Sequence, residues 1–322
     1  MNSSDQGESS LLSAQAASLR AVGETVLAVV TKASMLVDSK RVRSVVVVGL
    51  RKRQQGGSGG GQGLAGGAQP MAFGGWVDGS FNYTSVDDTT SGSQTRNWSG
   101  LGGLDYAPND WLLIGFAAGY VNSNVDLSSL SVSRDSHGFV VGPYVGFILS
   151  PNFTLDASVQ YTHNDISVSS GGTTPYSGDF NTDRVSAAVN LTGLWSFNPV
   201  DVTGFVGWSF GHETPSSAQL TGLTGLSDAA TRDQLGAKTE TFHALRFGGE
   251  ASWHLDQWEP FATAELGYQL TNVSAGDRLN PLFGLGVRYH VSDTFQISGN
   301  VIGDPVGSEQ SVLAQISARL AF

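Results

Sequence analysis

Apolar and polar residues alternate with a period of two along most of the chain from Phe73 onward. The final segment VLAQISARLAF shows this pattern best, because every second residue from Val312 to Phe322 is apolar and the residues between them are mostly polar or small. Successive side chains of a β-strand point to opposite faces, so each segment of this kind has one apolar face and one mostly polar face. The same alternation recurs at 153–162 and 184–195, which predicts an all-β protein.

The alternating segments number twelve. Their predicted bounds are 71–85, 96–107, 111–123, 133–149, 153–165, 179–197, 200–213, 239–255, 258–271, 280–292, 294–303 and 310–322. Short turns and long loops alternate strictly between them; the predicted long loops are 86–95, 124–132, 166–178, 214–238, 272–279 and 304–309. Bacterial outer-membrane barrels have this asymmetry, with short turns on the periplasmic side and longer loops outside.

Aromatic residues concentrate near both ends of the predicted strands. Those near the short turns include Tyr106, Trp111, Phe147, Phe153, Trp195, Trp253, Trp258 and Tyr289, and those near the long loops include Tyr83, Trp98, Tyr120, Phe139, Tyr161 and Phe210. Two aromatic girdles around an apolar band are typical of a membrane barrel. A soluble sandwich also alternates, but it would bury its aromatic residues mid-strand more often. The pattern therefore predicts a 12-stranded antiparallel transmembrane β-barrel.

The composition agrees with a membrane barrel and excludes several classes of site. Glycine contributes 42 of 322 residues and only 14% of the residues are charged, against average values of about 7% and about 25%. The chain has no cysteine, which excludes disulfides, zinc–thiolate sites and thiol catalysis. Its net charge of −11 argues against nucleic-acid binding. No apolar run reaches the roughly 20 residues of a transmembrane helix.

The N-terminal part differs from the rest of the chain. Its first 70 residues hold eight basic and four acidic residues, whereas the remainder holds nine basic and 24 acidic residues. Residues 56–70, GGSGGGQGLAGGAQP, have the composition of a flexible linker, which separates an N-terminal helical segment at 1–55 from the barrel at 71–322. Apolar residues near helical spacing predict an α-helix over 10–37, about 42 Å long. This helix either occupies the pore or lies outside it as an amphipathic helix.

The strand positions that face inward include charged residues of both signs. They are Asp78, Asp105, Asp156, Arg184, Arg246, Glu250, Glu265, Arg288 and Arg319, with His254 and His290. One interpretation is a mixed-charge network that fills and stiffens the lumen, and the other is a path for ions or solutes with a selectivity ring. A 12-stranded barrel lies between filled 8-stranded and channel-forming 16-stranded barrels, so its lumen has room for one helix about 10 Å wide.

No motif in the sequence indicates catalysis. His163 with Asp165 and His212 with Glu213 lie near the predicted outer rim, but no nucleophile motif accompanies them. The His212-Glu213 pair lacks the second histidine of a zinc-binding helix, and the Gly-rich stretches do not follow a strand and open a helix as phosphate loops do. We therefore expect no enzyme activity, no cofactor and no metal site.

Residues 71–322 resemble the translocator (β) domain of classical autotransporters, the monomeric type V secretion proteins. MAFGGWVDGSFNYT is similar to the first strand of such domains, LGGLDYAPNDWLLIGFAAGY to the strand–turn–strand that follows it, PLFGLGVRYHVSDTFQISG to a late hairpin, and ISARLAF to the last strand. The resemblance implies insertion into the outer membrane of a Gram-negative bacterium with the help of the barrel-assembly machinery. It also implies that a pore helix precedes the barrel, that a passenger upstream reaches the cell surface, and that Phe322 with Leu320 and Ala318 forms the assembly signal.

Residues 1–9 are too few to form a passenger, so we expect the passenger to be missing from this chain. The first functional hypothesis is an outer-membrane translocator domain that supports passage or surface anchoring of an N-terminal passenger. The second is a stand-alone, porin-like channel, and the third is an outer-membrane barrel hydrolase. The expected partners are outer-membrane lipids and the assembly machinery, with no nucleic acid, and we expect a monomer.

Overall fold

The computed structural model describes residues 72–321, apart from 87–92, 110, 128–130, 172–174, 217, 223–230, 232–234, 236, 238, 272–278, 293 and 305–308. The predicted helix at 10–37 and the linker at 56–70 lie outside the described residues, so the division into segments stays a prediction. Within the described ranges, no helix has the length and apolar character needed to cross a membrane.

Thirteen strands are present in the described part of the chain. They are β1 (Ala72–Val86), β2 (Ser93–Asn109), β3 (Leu112–Leu127), β4 (Val132–Ser150), β5 (Phe153–Ser170), β6 (Tyr176–Phe197), β7 (Val200–Pro215), β8 (Gln219–Thr221), β9 (Glu240–Trp253), β10 (Trp258–Gln269), β11 (Leu279–His290), β12 (Phe295–Asp304) and β13 (Glu309–Ala321).

Twelve of these strands form one closed antiparallel sheet. Consecutive strands pair with each other, β7 pairs with β9, and β1 pairs with β13 to close the ring. The short strand β8 pairs with the first residues of β6, where Thr221 lies opposite Ser177. The predicted 12-stranded antiparallel barrel is therefore confirmed, and β8 is an addition that the sequence pattern did not predict.

Side chains at the short turns hold three of these turns in place. The Asn109 side-chain oxygen accepts hydrogen bonds from the backbone N–H groups of Trp111 and Leu112, at 3.1 and 3.0 Å. The hydroxyls of Ser150 and Ser292 accept from backbone N–H groups two and three residues later in the same way. Asn and Ser are common turn residues because their short side chains replace a backbone partner, which allows a strand to reverse within a few residues.

The outer surface of the barrel is apolar. On β1, Val77 and Phe81 are exposed, whereas Asp78 and Asn82 beside them are buried on the inner face. The same alternation exposes large apolar side chains around the barrel, including Leu104, Phe116, Val159, Leu285 and Ile316. A soluble sandwich would bury such a belt against a second sheet, whereas a membrane barrel turns it toward lipid.

Aromatic rings pair at both ends of this apolar belt. Near the short turns, the pairs are Phe73–Tyr106, Trp111–Phe147, Phe153–Trp195 and Trp258–Tyr289, with ring centroids 4.5–6.3 Å apart. Near the long loops, Trp98 pairs with Tyr120, and Phe139 pairs with Tyr161. We call these two sets the inner girdle and the outer girdle. Aromatic girdles mark the levels at which a barrel leaves the hydrocarbon region.

Beyond the outer girdle, the two faces of the sheet exchange polarity on four neighbouring strands. We call this part of β3–β6 the outer wall (residues 121–127, 132–138, 162–170 and 176–184). On β5, the outward residues that follow Tyr161 are His163 and Asp165, whereas the inward residues Ile166 and Val168 are 3% and 2% exposed. The register between β5 and β6 is continuous here, so the exchange reflects a change from lipid to water outside the barrel.

The outer wall corrects two predicted loops. The predicted loop 124–132 is mostly strand, because β3 continues to Leu127 and β4 begins at Val132. The predicted loop 166–178 is also largely strand, because β5 continues to Ser170 and β6 begins at Tyr176. The sequence pattern predicted loops here because of the exchange of polarity. In the outer wall, apolar residues occupy inward positions, whereas between the two girdles the inward positions are mostly polar.

A small hydrophobic core lies on the inner face of the outer wall. The wall contributes Val125, Val132, Ile166, Val168, Tyr176 and Phe180, and the connection between β7 and β9 contributes Leu235 and Ala237. This core is separate from two smaller clusters, one around Trp76 and Tyr144 and the other around Leu282 and Ile302. Leu235 and Ala237, which belong to the predicted long loop 214–238, thus pack against the inner face of the outer wall.

Candidate functional site: the barrel lumen

The structure places all nine charged residues that were predicted to face the lumen on the inner face of the barrel. Asp78, Asp105, Asp156, Arg184, Arg246, Glu250 and Glu265 are buried, and the side chains of Arg288 and Arg319 are largely covered. They fall into separate groups on different walls instead of one ring of a single sign.

Arg246 on β9 and Glu265 on β10 form a buried two-point ion pair. The guanidinium donates from Nε to Oε1 at 2.5 Å and from Nη2 to Oε2 at 2.6 Å. Each side chain is about as buried as the other, at 5% and 6% exposed. Parallel donation of this kind fixes both side chains in one orientation, because the planar fork of arginine matches a carboxylate.

Arg288 on β11 joins two carboxylates from neighbouring strands. It donates to Glu250 at 2.6 Å and to Glu259 at 2.8 Å. Its guanidinium also lies over the Phe261 ring, 4.1 Å from the ring centroid. The group therefore links three strands through one cation.

Two histidine–carboxylate contacts lie at the inner end of the lumen, beside the short turns. His254 contacts Asp201 at 2.8 Å, and His290 contacts Glu259 at 3.0 Å. The sequence analysis included both histidines but missed both carboxylates. Glu259 could have been found by counting strand parity back from Glu265, since both residues belong to the same face of β10.

A second network crosses the closure of the barrel. Arg319 on β13 donates to both carboxylate oxygens of Asp105 on β2, at 2.9 and 2.8 Å. The Tyr144 hydroxyl donates to the same carboxylate at 3.1 Å and accepts from Trp76 Nε1 at 2.8 Å. The chain of contacts links β13, β2, β4 and β1, so it braces the pair of strands that close the ring.

The remaining predicted lumen residues have polar neighbours. Asp156 accepts from the Asn190 amide at 2.7 Å, and Asp78 accepts from the Gln315 amide at 3.0 Å. Arg184 is buried near the outer end of the lumen, opposite Glu213 in the pairing of β6 with β7.

Aromatic side chains inside the barrel lie close against glycines on neighbouring strands. A Cβ at Gly115 would come within 2.2 Å of the Tyr144 ring, and a Cβ at Gly103 would come within 2.4 Å of the Trp76 ring. The same arrangement pairs Phe242 with Gly211, Phe205 with Gly248 and Phe261 with Gly286. Any larger residue at these glycines would displace the ring. The absence of a side chain at each glycine therefore lets the ring lie close to the backbone of the neighbouring strand.

The predicted assembly-signal residues lie on β13. Leu320 is 45% exposed on the outer face and lies opposite Gly75 of β1 and Phe295 of β12. Ala318 occupies the same face two residues earlier and is partly exposed. Phe322 lies outside the described residues.

Of the two predicted histidine pairs, His163, Asp165 and His212 lie on the outer face, whereas Glu213 lies on the inner face opposite Arg184. His163 Nδ1 contacts Asp183 at 2.7 Å on the outer wall, and His212 Nδ1 contacts the Thr241 hydroxyl at 2.7 Å. The hydrogen bond to His163, together with one from Tyr161, holds the pKa of Asp183 below its ordinary value. In the described part of the chain, no group of three or more His, Asp or Glu residues could hold a metal ion.

Comparison with known proteins gives a family match over most of the barrel. The family model described as "Autotransporter beta-domain" matches residues 72–301. The comparison with curated protein sequences gives no match.

Solved structures share the fold at low sequence identity. The translocator domain of the autotransporter NalP from Neisseria meningitidis is 14% identical, with 88% of this chain and 98% of that chain covered and a TM-score of 0.65. The beta domain of the Bordetella autotransporter BrkA is 13% identical, with coverages of 78% and 100% and a TM-score of 0.65. The transport unit of the autotransporter AIDA-I from Escherichia coli is 14% identical, with coverages of 81% and 93% and a TM-score of 0.51.

Proposed function

Because this chain belongs to the autotransporter beta-domain family, a family of outer-membrane translocator domains, we propose that its lumen carries or anchors a polypeptide passenger attached on the N-terminal side of the barrel. The observation that carries the proposal is the family match over 72–301, which extends from β1 into β12 of the closed barrel. β1 begins beside the end of β13, at the end of the barrel with the short turns. A polypeptide that precedes β1 therefore joins the barrel at its periplasmic mouth.

The location and partners follow from the same proposal. The apolar belt between the two girdles binds outer-membrane lipids, and the host is a Gram-negative bacterium. The last strand, with Ala318, Leu320 and Phe322, is the segment that the barrel-assembly machinery recognises. The barrel works as a monomer, binds no nucleic acid or cofactor and catalyses no reaction.

The lumen chemistry supports a translocator over a stand-alone channel. A selective channel presents a ring of one charge sign to its solutes. In this lumen, Arg246, Arg288 and Arg319 are each paired with carboxylates within 3 Å, so their charges are largely neutralised. A lumen with neutralised walls favours passage or retention of a polypeptide of mixed composition.

A display experiment tests the proposed function. An epitope-tagged reporter is placed between an added export signal and residue 1 of the full chain, and intact cells are treated with an external protease. We expect the reporter to be cleaved from outside, and we expect the same fusion with Ala318→Asp and Leu320→Asp to leave it uncleaved because the barrel no longer assembles. A folded barrel in the outer membrane whose reporter stays protected would contradict the proposal.

A further inference from the structure

The pairing of β1 with β13, which we call the seam, differs from the other pairings in the ring. Its register runs from Gly74 opposite Ala321 to Val86 opposite Glu309. Because β1 is the first and β13 the last of the described strands, no turn or loop joins them directly, whereas a chain segment joins every other pair of neighbours in the ring. Opening the ring at the seam therefore stretches no connection, and only backbone hydrogen bonds and side chains keep it closed.

Side chains on the outer face give the seam little support over its inner half. From Gly75 to Phe81, each outward pair joins a large residue to a glycine or an alanine. These pairs are Gly75–Leu320, Val77–Ala318, Gly79–Ile316 and Phe81–Ala314. Cross-strand contacts between side chains are a main source of sheet stability, and pairs with one small member offer few of them. The support for this part of the seam must therefore come largely from the inner face.

On the inner face, an ion pair crosses the whole width of β1. Arg319 on β13 lies opposite Trp76 of β1, and its guanidinium reaches past β1 to Asp105 on β2. Gly74 of β1 lies directly opposite Asp105. A Cβ at Gly74 would clash with Asp105 Oδ1 and lie 3.1 Å from Arg319 Nη2, so the ion pair crosses β1 at a residue without a side chain. We call Arg319, Asp105 and Gly74 the seam latch.

Separation of β13 from β1 would deprive Asp105 of its counter-charge. The Asp105 side chain is 1% exposed and accepts hydrogen bonds from Arg319 and from the Tyr144 hydroxyl. Tyr144 belongs to β4, so it stays beside Asp105 when β13 moves away, and Arg319 leaves with β13. A buried carboxylate that loses its arginine is expensive, and hydrogen bonds between charged groups are among the strong ones. The latch therefore penalises opening of the ring at the seam.

We propose that the seam latch keeps the ring closed in the folded barrel, so that β1 and β13 do not separate sideways into the membrane. Since Arg319 lies on the last strand and Asp105 on the second, the pair forms only when β13 has come to lie beside β1, and its formation completes closure of the ring. The proposal concerns the barrel with no passenger and does not depend on the proposed function.

Arg319→Met removes the latch, and Arg246→Met is its matched control. Both arginines contact a nearly fully buried carboxylate, but Arg246 and Glu265 lie on β9 and β10, away from the seam. Amide hydrogen exchange of the full chain in detergent micelles, read by mass spectrometry of peptides from each strand, reports where the sheet opens. Heat-modifiable migration in gel electrophoresis verifies that each variant forms a folded barrel.

We expect Arg319→Met to raise the exchange rate in β1 and β13 at least about tenfold more than in the other strands, which corresponds to about 1.4 kcal/mol. Arg246→Met should show no such preference for the seam. A disulfide between Val77→Cys and Ala318→Cys, which lie directly opposite each other, should abolish the preference in Arg319→Met. The chain has no cysteine of its own, so no other disulfide can form. Absence of the preference in Arg319→Met, or an equal preference in Arg246→Met, would overturn the latch.

Gly74→Ala tests the latch without removing a charge, and it serves if Arg319→Met does not fold. Its methyl group would push Asp105 and Arg319 apart. Gly79→Ala, on the outer face of the same strand, is the control, because the nearest atom to its Cβ would be Ile316 Cγ2 at an ordinary 3.7 Å. We expect faster seam exchange in Gly74→Ala only. Equal seam exchange in the two variants would overturn the latch and leave the transport proposal, which the display experiment tests, untouched.

Discussion

Arg246 and Glu265 show how single residues in the lumen combine charge with order. Both are nearly fully buried, and each satisfies the other through two hydrogen bonds. A buried charge without a partner is expensive, whereas a fully paired one is tolerated. The charged side chains in the lumen thus cross-link neighbouring strands as much as they line a path.

Removing one member of this pair should therefore cost more than removing both. We expect Arg246→Met to lower the free energy of unfolding by about 3–5 kcal/mol, because it leaves the Glu265 charge buried and unpaired. The double variant Arg246→Met with Glu265→Met should recover most of that loss. Urea unfolding of the four proteins of this cycle checks the prediction, and additive losses would contradict it.

Gly115 has an equally specific role, because the Tyr144 ring occupies the space of its missing side chain. Gly115→Ala should displace Tyr144 from Trp76 and Asp105 and destabilise the barrel by about 1–3 kcal/mol, the usual cost of overpacking. Gly100→Ala is the matched control on the neighbouring strand, since no atom lies within 4 Å of its Cβ position. The difference between their urea midpoints measures the effect, and equal midpoints would show that the ring has room to move.

At the scale of elements, the alternation of apolar and polar residues predicted most strands closely. It failed in the outer wall, where the apolar residues face inward instead of outward. Below the outer girdle, apolar means outward, and β13 follows that rule through Val312, Ile316 and Leu320, all of them exposed. In the outer wall, apolar means inward, so Ile166 and Val168 broke the expected parity and suggested a loop. The sequence alone does not mark the level at which the surroundings of the barrel change from lipid to water, which is why the outer wall was missed.

The sequence predicted which charged residues face the lumen, but it did not predict how they pair with one another. Strand parity alone identified the inward charges, because it depends only on the position within one strand. Which charge pairs with which depends on the register between strands and on diagonal reach. Arg246 meets Glu265 although its direct neighbour on β10 is Gly267, and no pattern within one strand carries that information.

We expect β4 to tolerate a charged substitution differently between the two girdles and in the outer wall. Val145→Arg places a cation on the outer face between the two girdles and should cost about 2 kcal/mol, because the charge meets hydrocarbon. Ser133→Arg lies on the same face of the same strand but in the outer wall, and should cost almost nothing. Unfolding in urea from lipid vesicles compares the two, and an equal cost would place both residues in the same surroundings.

At the scale of the whole molecule, one closed sheet is surrounded by lipid between the girdles and by water beyond the outer girdle. Between the girdles it presents apolar side chains outward and paired charges inward, as a membrane barrel requires. Beyond the outer girdle, four of its strands form a wall with its own apolar core. The arrangement suits an outer-membrane translocator whose strands pass from lipid into water at the outer girdle.

The seven tryptophans allow a direct measurement of which face of the barrel lies in lipid. Trp208 is 38% exposed on the outer face, whereas Trp76 is 4% exposed on the inner face. Two variants are prepared that keep only Trp208 or only Trp76, with the other tryptophans replaced by Phe, and each is reconstituted with brominated lipids. We expect strong quenching of Trp208 fluorescence and little quenching of Trp76. Quenching of Trp76 with Trp208 unaffected would mean that the apolar outer face does not contact lipid, and would contradict a membrane-embedded translocator.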